Sequence, residues 1–383
     1  MTSSALTRPG ERQRLVSKLA EIDWRSVLLL CAIAGIGALM LYSIANSSWQ
    51  PWAAKHLIRF ALCFGLMLAL ALVDLRVWYA LAYPVYAAAF TLLLAVEAVG
   101  RTALGATRWL ELGPISIQPS EIMKIGIVLA LARFYHGLSA DDAKLSWKLL
   151  IPAGLIGAPV LLVAHQPDLG TALLLAFTGG AIMFMAGLSW RVLAVGAVGV
   201  LSAIPPFVLF VLKDYQRDRV LTFLHPEADP SGAGYHILQS KIALGSGGLL
   251  GKGYGLGSQS QLNFLPEKHT DFIFATFAEE FGFVGCFVVL LIYGAVIVTA
   301  LRTAHVAHSH FGRLAAAGVT ATFTLYVMIN GAMVMGLAPV VGVPMPLLSY
   351  GGTMMVTVMI GFGLVQAVRV HRYEEMPRGA GIL

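Results

Sequence analysis

The sequence predicts an all-α integral membrane protein of about ten membrane-spanning helices, with a long extracytoplasmic loop between the seventh and the eighth. Three observations carry this. Of 383 residues, 58% are hydrophobic and only 12% charged, against roughly 25% charged in an ordinary soluble domain. Mean hydropathy is +0.77. Apolar runs recur from Val27 to Val368 with no Ser-, Pro- or Gly-rich linker between them, so residues 1–383 read as a single polytopic membrane domain.

A bilayer core of about 30 Å takes roughly 20 helical residues. That places spans at 26–45, 53–73, 77–98, 121–136, 147–164, 169–188, 190–212, 271–301, 311–338 and 347–368, the fourth being short. Residues 1–22 form a polar segment with Arg8, Arg12, Arg14 and Lys18. The apolar run after Trp24 lacks a small-residue cleavage site, which makes it a retained first helix and not a signal peptide. If the first connection lies outside, the short outer segments hold only Lys55, Arg59, Arg101 and Arg108, while the inner ones hold most of the remaining Lys and Arg, among them Arg76, Arg133, Arg191, Arg302, Arg313 and Arg369. That is the positive-inside asymmetry, and it puts the basic N-terminus and the tail 369–383 in the cytoplasm.

Acidic residues run the other way, with 12 of the 20 at outer ends or in outer loops, so chemistry is expected on the outer face. The net charge of +6, scattered in short clusters between spans, expresses topology and does not point to nucleic acid. Cys31, Cys63 and Cys286 lie in separate apolar runs, with neither disulfide nor metal spacing, and are expected to be packing residues. His305, His308 and His310 share a connection with Arg302 and Arg313 and no carboxylate, which reads as a solvated basic loop; no metal site is expected.

Four segments carry more than topology. In TRWLELGPISIQPSEIMK (107–124), a Pro/Gly-broken approach leads into a span that opens with Glu121 and Lys124. Their spacing puts both on one helical face, either as a self-satisfied pair or as the wall of a polar cavity, with Arg108 adding a cation. Charges inside a span commonly face such a cavity. In HQPDLGTA (165–172), Asp168 suits a helix N-cap. The loop 213–270 is too long for a connector. Its glycine run has neither a P-loop pattern around Lys252 nor a G-x-G-x-x-G register, and it reads as tight turns folded onto the membrane surface. It ends in NFLPEKHTDFIFATFAEEFG (263–282), where Asp271 is either a cap or a reactive carboxylate, and where the deeper Glu279 and Glu280 need partners, water or protonation. Finally APVVGVPMPLLSYGGT (338–353) predicts a broken, rigid turn into the last span, tolerated at that depth only against protein or a cavity.

Taken together, QPSE with Lys124, QPDLGTA, FLPEKHTDFIF and PVVGVPMPLLSYGG resemble the SEDS family (shape, elongation, division and sporulation proteins) over Asp23 to about Arg372, nearly the whole chain. The stretch HPEADPSGAGYHILQSKIALGSGG is similar to the elongation branch more than to the division branch. The resemblance implies ten helices and a peptidoglycan glycosyltransferase that polymerises lipid II into glycan strands outside the cytoplasmic membrane during cell elongation. It implies a class B penicillin-binding protein as the transpeptidase partner within the elongation machinery. By motif position it implies Asp271 as the catalytic residue, with Arg108, Glu121, Lys124 and Asp168 lining the cavity. Gln118 of the QPSE motif, and Lys268 and His269 beside Asp271, are counted with them as substrate-binding candidates.

No cofactor is required by this reading, which leaves open a divalent cation, Mg or Mn, at the diphosphate. Neither a nucleophile elbow nor a Ser/Lys penicillin-binding signature is present in the sequence, so cross-linking falls to the partner. Two other classes remain: a lipid II flippase, since broken spans and buried charges suit transporters, and a non-catalytic scaffold for the penicillin-binding protein. Polar residues gathered at the outer face rather than the midplane, with no internal repeat, favour the enzyme.

Overall fold

The computed structural model describes residues 15–376 apart from 104–105, 113–114, 139–146, 167, 193, 197, 200–201, 203–232 and 266. After a short α1 (Leu15–Ala20), the long helices among the described residues are α2 (Trp24–Ile44), α3 (Ala53–Ala71), α4 (Leu75–Val99), α5 (Pro119–His136), α6 (Leu150–His165), α7 (Leu169–Met185), α10 (Ile273–Val306), α11 (His310–Val334) and α12 (Gly352–Val370). Each corresponds to one expected span. The described residues between 190 and 202 are helical, and the rest of the seventh expected span lies outside the described residues. Within the long loop 213–270, α8 (Ala233–Ser246) and α9 (Ser258–Gln261) are helical. Among the described residues, seven candidate spans have the length and apolarity to cross a membrane, and the chain is an all-α, multi-pass membrane protein.

Caps fix several helix starts. Asp23 and Asp74 each accept a hydrogen bond from the backbone N–H two residues on, that of Arg25 and of Arg76, and Ser309 accepts from the Gly312 N–H. In the bundle α12 packs on α3, α5 on α4, and α11 on α5, α7 and α10. Helices α11 and α12 are mostly enclosed, whereas α3, α4 and α6 turn most of their surface outward. The short fourth span, α5, is buried over nearly its whole length, Glu121 and Lys124 included, so these two charges face protein and not lipid. The three cysteines are free thiols, with Cys63 in the core.

One local feature departs from the expected irregular approach to α5. Residues Arg101–Ala103 (β1), Ala106–Leu112 (β2) and Ile115–Ile117 (β3) form a small antiparallel sheet in the order β1-β2-β3. Alternation explains it: Leu110 is buried and its neighbour Trp109 half-exposed, as strand periodicity requires. Of the residues that suggested a broken path, Gly113 and Pro114 come between β2 and β3 in the sequence, and Pro119 opens α5.

At 34 residues, α10 is about 51 Å long at 1.5 Å per residue, longer than a bilayer core. It is interrupted at Gly282, whose φ of 64° and ψ of −165° lie where an L side chain is strained. The glycine run of the loop closes on this break: Lys252 and Gly253 donate their N–H groups to the Glu279 and Glu280 carbonyls, both at 3.0 Å, and Phe283 N–H donates to the Gly248 carbonyl at 2.9 Å. Here the buried carboxylates find partners. Glu279 pairs with Lys252 Nζ at 2.7 Å and accepts from Ser258 Oγ at 3.0 Å and the Gln259 N–H. Glu280 accepts from Ser43 Oγ at 2.5 Å. Lys252, useless as a P-loop lysine, thus ties the loop to α10.

Candidate active site

The first turn of α5 and the middle of α11 build a closed charge cluster. Lys124 Nζ donates to Glu121 Oε1 at 2.6 Å and to the Tyr326 hydroxyl. That hydroxyl donates to Glu121 Oε2 at 2.9 Å. Lys124 also lies 4.6 Å from the Tyr326 ring centroid. Lys124 and Tyr326 are each 2% exposed and Glu121 7%. A pair this deep is stable only if its donors and lone pairs are satisfied, and Tyr326 completes that set from a helix 202 residues away in sequence. Gln118 is the N-cap of α5 but its side chain makes no cap bond. Arg108 lies in β2; its side chain lies outside the described residues.

Asp168 does cap α7. Its Oδ1 accepts the Thr171 N–H at 3.2 Å and its Oδ2 the Thr171 hydroxyl at 2.9 Å. It is 4% exposed. Asp271 does not occupy the cap of α10: the N-cap is Phe272, one residue on. The Asp271 carbonyl accepts from Asn330 Nδ2 at 2.8 Å, and the same nitrogen donates to the Val343 carbonyl at 2.7 Å.

The broken 338–351 turn is where these parts meet. A Cβ on Gly170, two residues after Asp168, would lie 2.6 Å from the Val341 carbonyl oxygen, and one on Gly342 would lie 3.6 Å from Asp271 Oδ2. Tyr350 N–H donates to the His269 carbonyl at 2.9 Å, and the Tyr293 hydroxyl donates to the Pro346 carbonyl at 2.6 Å. Asp168 and Asp271 therefore border the same 341–342 turn, and Asn330 ties Asp271 to α11, the helix that carries Tyr326 of the charge cluster.

Lys268 and His269 are placed differently from free substrate ligands. Lys268 is 9% exposed and donates to the Ser260 carbonyl and to Asn263 Oδ1 at 2.8 Å, and burial lowers its pKa. The His269 ring stacks on Trp52 at 4.7 Å between centroids, and desolvation holds it below the usual histidine range despite Glu267, so it is neutral at neutral pH. Arg59, over the Tyr350 ring at 4.8 Å, is a cation beside the turn that motif reading did not select. Tyr326 and Asn330 were likewise missed; the sequence signal for them is a polar residue every fourth position, Thr322, Tyr326, Asn330, on one face of the helix.

Fold and site together define a polytopic membrane protein with a charged, protein-enclosed cluster at one end of its helix bundle, under a loop and a broken turn. The family model of the FtsW/RodA/SpoVE cell cycle proteins matches residues 23–374, and the chain belongs to that family. Peptidoglycan glycosyltransferase MrdB of Escherichia coli K12 is 45% identical over 352 residues, 92% of this chain and 94% of that protein. A probable peptidoglycan glycosyltransferase FtsW of Trichlorobacter lovleyi is 33% identical over 91% of this chain and 93% of its own length. Among solved structures, a chain of a peptidoglycan synthase complex that coordinates polymerization and crosslinking superposes with a TM-score of 0.77 at 34% identity, covering 92% of this chain and 99% of that one. The rod shape determining protein RodA of Thermus thermophilus gives 0.70 at 31% identity, covering 92% and 98%.

Proposed function

We propose that this chain is a peptidoglycan glycosyltransferase that polymerises lipid II into glycan strands at the outer face of a bacterial cytoplasmic membrane during elongation, with Asp271 as general base. The observation that carries the site assignment is the Asn330 tie of the Asp271 backbone to α11, four residues from the Tyr326 that closes the Glu121–Lys124 pair, in a chain 45% identical to a peptidoglycan glycosyltransferase over most of its length.

The chemistry follows from the leaving group. A sugar on a lipid diphosphate departs readily, so little acid assistance is needed and one proton must be removed from the attacking hydroxyl, a task for one carboxylate. The hydroxyl oxygen forms the new bond to the anomeric carbon as the bond to diphosphate breaks. The electron pair stays on the diphosphate, and the proton goes to Asp271. Attack from the face opposite the diphosphate inverts the centre, without a covalent sugar intermediate. Lys124 and Arg108 supply positive charge for the departing diphosphate. Asp168 lines the cavity as the cap of α7, and a divalent cation, Mg or Mn, would be carried in bound to the diphosphate. Gln118, Lys268 and His269 border the same region, the last two by shaping the loop that bears Asp271. The class B penicillin-binding protein expected as transpeptidase partner accords with the structural likeness to a synthase-complex chain.

Purified protein given lipid II separates the alternatives: an enzyme makes polymer, a flippase moves labelled lipid II across vesicles, and a scaffold does neither. Absence of polymer from folded protein, alone and with its partner, overturns the proposal. For topology, the Lys/Arg asymmetry predicts that single cysteines at Ser4 and Ser231, both outside the described residues, react with impermeant reagents from opposite sides of the membrane. Labelling from the same side reverses or breaks the arrangement with both termini cytoplasmic and the loop outside.

A further inference from the structure

We infer that Asn330 is a positioning residue of this site, one that holds Asp271 and the 341–343 turn at a fixed place above the Lys124 cluster. Asn330 is fully buried. Its Nδ2 serves two carbonyls that belong to different parts of the chain, Asp271 at 2.8 Å and Val343 at 2.7 Å, while among the described residues its Oδ1 has no hydrogen-bond partner. An apolar helix that carries a buried amide for a single cross-tie implies that the tie matters, because burying an incompletely satisfied amide is unfavourable.

What the tie fixes is specific. It fastens the backbone of Asp271, two residues before the start of α10, to α11. It fastens Val343 to the same point, next to Gly342, against which the Asp271 carboxylate lies. Gly342 has φ +68°, a conformation that glycine adopts without strain. One helical turn deeper on the same face of α11, Tyr326 holds Glu121 and Lys124, and a turn deeper again Thr322 meets Thr178 at 3.2 Å. A single enclosed helix thus carries the grip on the base and the grip on the Glu121–Lys124 pair four residues apart, so its rigidity sets the separation between them.

This rests on the reading of Asp271 as the base, and the test separates the two. Asn330→Leu removes both donors at similar volume, and Asn330→Ser keeps one donor should the leucine variant not fold. With the full chain and lipid II, Asn330→Leu is expected to lower kcat on the order of tenfold to a hundredfold, the loss that about 1 Å of misplacement brings, with KM and thermal midpoint near native and the serine variant in between. A second readout needs no activity: in protein with Cys31, Cys63 and Cys286 changed to Ala, Asp271→Cys is expected to react severalfold faster with a small thiol reagent once Asn330→Leu is added. An unchanged kcat, a raised KM with normal kcat, or a loss of activity that follows a fallen thermal midpoint with unaltered thiol reactivity overturns the proposal. Near-native polymerisation by Asp271→Asn instead removes the base reading, whatever the Asn330 variants do.

Discussion

Asp271→Asn is expected to abolish glycan polymerisation while expression, membrane insertion, partner binding and lipid II binding stay intact. Asparagine keeps the shape of aspartate but does not accept a proton at neutral pH. The structure sharpens this test. The N-cap of α10 is Phe272, so the substitution does not remove a cap, and the tie to Asn330 uses the Asp271 backbone carbonyl, which asparagine retains. Even a lost cap costs only about 1 kcal/mol, whereas general acid–base catalysis contributes roughly 10²–10⁴-fold in rate. Initial rates of polymer formation by purified variant and native protein give the answer. A near-native rate removes Asp271 from the mechanism.

The second large effect is expected at the buried pair. Lys124→Ala and Glu121→Ala each strand the other charge at 7% exposure or less, and breaking one side of a buried pair costs about 3–5 kcal/mol, so each single variant loses stability as well as polymerisation. The double change Glu121→Leu with Lys124→Leu separates the causes, since replacing a buried pair by apolar residues is often neutral for stability. The expected result is a folded protein, by thermal midpoint and monodispersity, that makes no polymer. Retained activity in that double variant assigns the pair to structure alone. Lys124→Arg is expected to rescue partly, because a planar fork places its donors differently from an ammonium, and the Tyr326 ring and hydroxyl leave little room for it.

Much of the architecture was legible in local composition. Nine of the ten spans were placed close to the long helices of the structure, α5 among them, because a run of apolar residues about 20 long has few alternatives to crossing a bilayer. The family was legible because its motifs are contiguous strings. The site was legible only in part. Asp168 looked like a cap and is one, while Asp271 looked equally like a cap and stands one residue outside that position. Glu279 and Glu280 announced a need for partners, yet nothing near them in sequence named Lys252 and Ser43. Strand alternation across 106–112 was masked by the glycines and proline around it.

By itself, then, the sequence determined that the chain lives in a membrane, where its helices lie, and which carboxylates and cations deserve testing, because hydropathy, spacing and motif are properties of neighbouring residues. Only the tertiary structure decided which charges meet. Tyr326 closes the Glu121–Lys124 pair from 202 residues away, Asn330 joins Asp271 to Val343 across α11, and Lys252 turns a glycine-rich loop into a clasp on α10. The physical reason is that a buried polar group must be satisfied wherever packing leaves it, and packing between helices distant in the chain leaves no periodic trace in either of them.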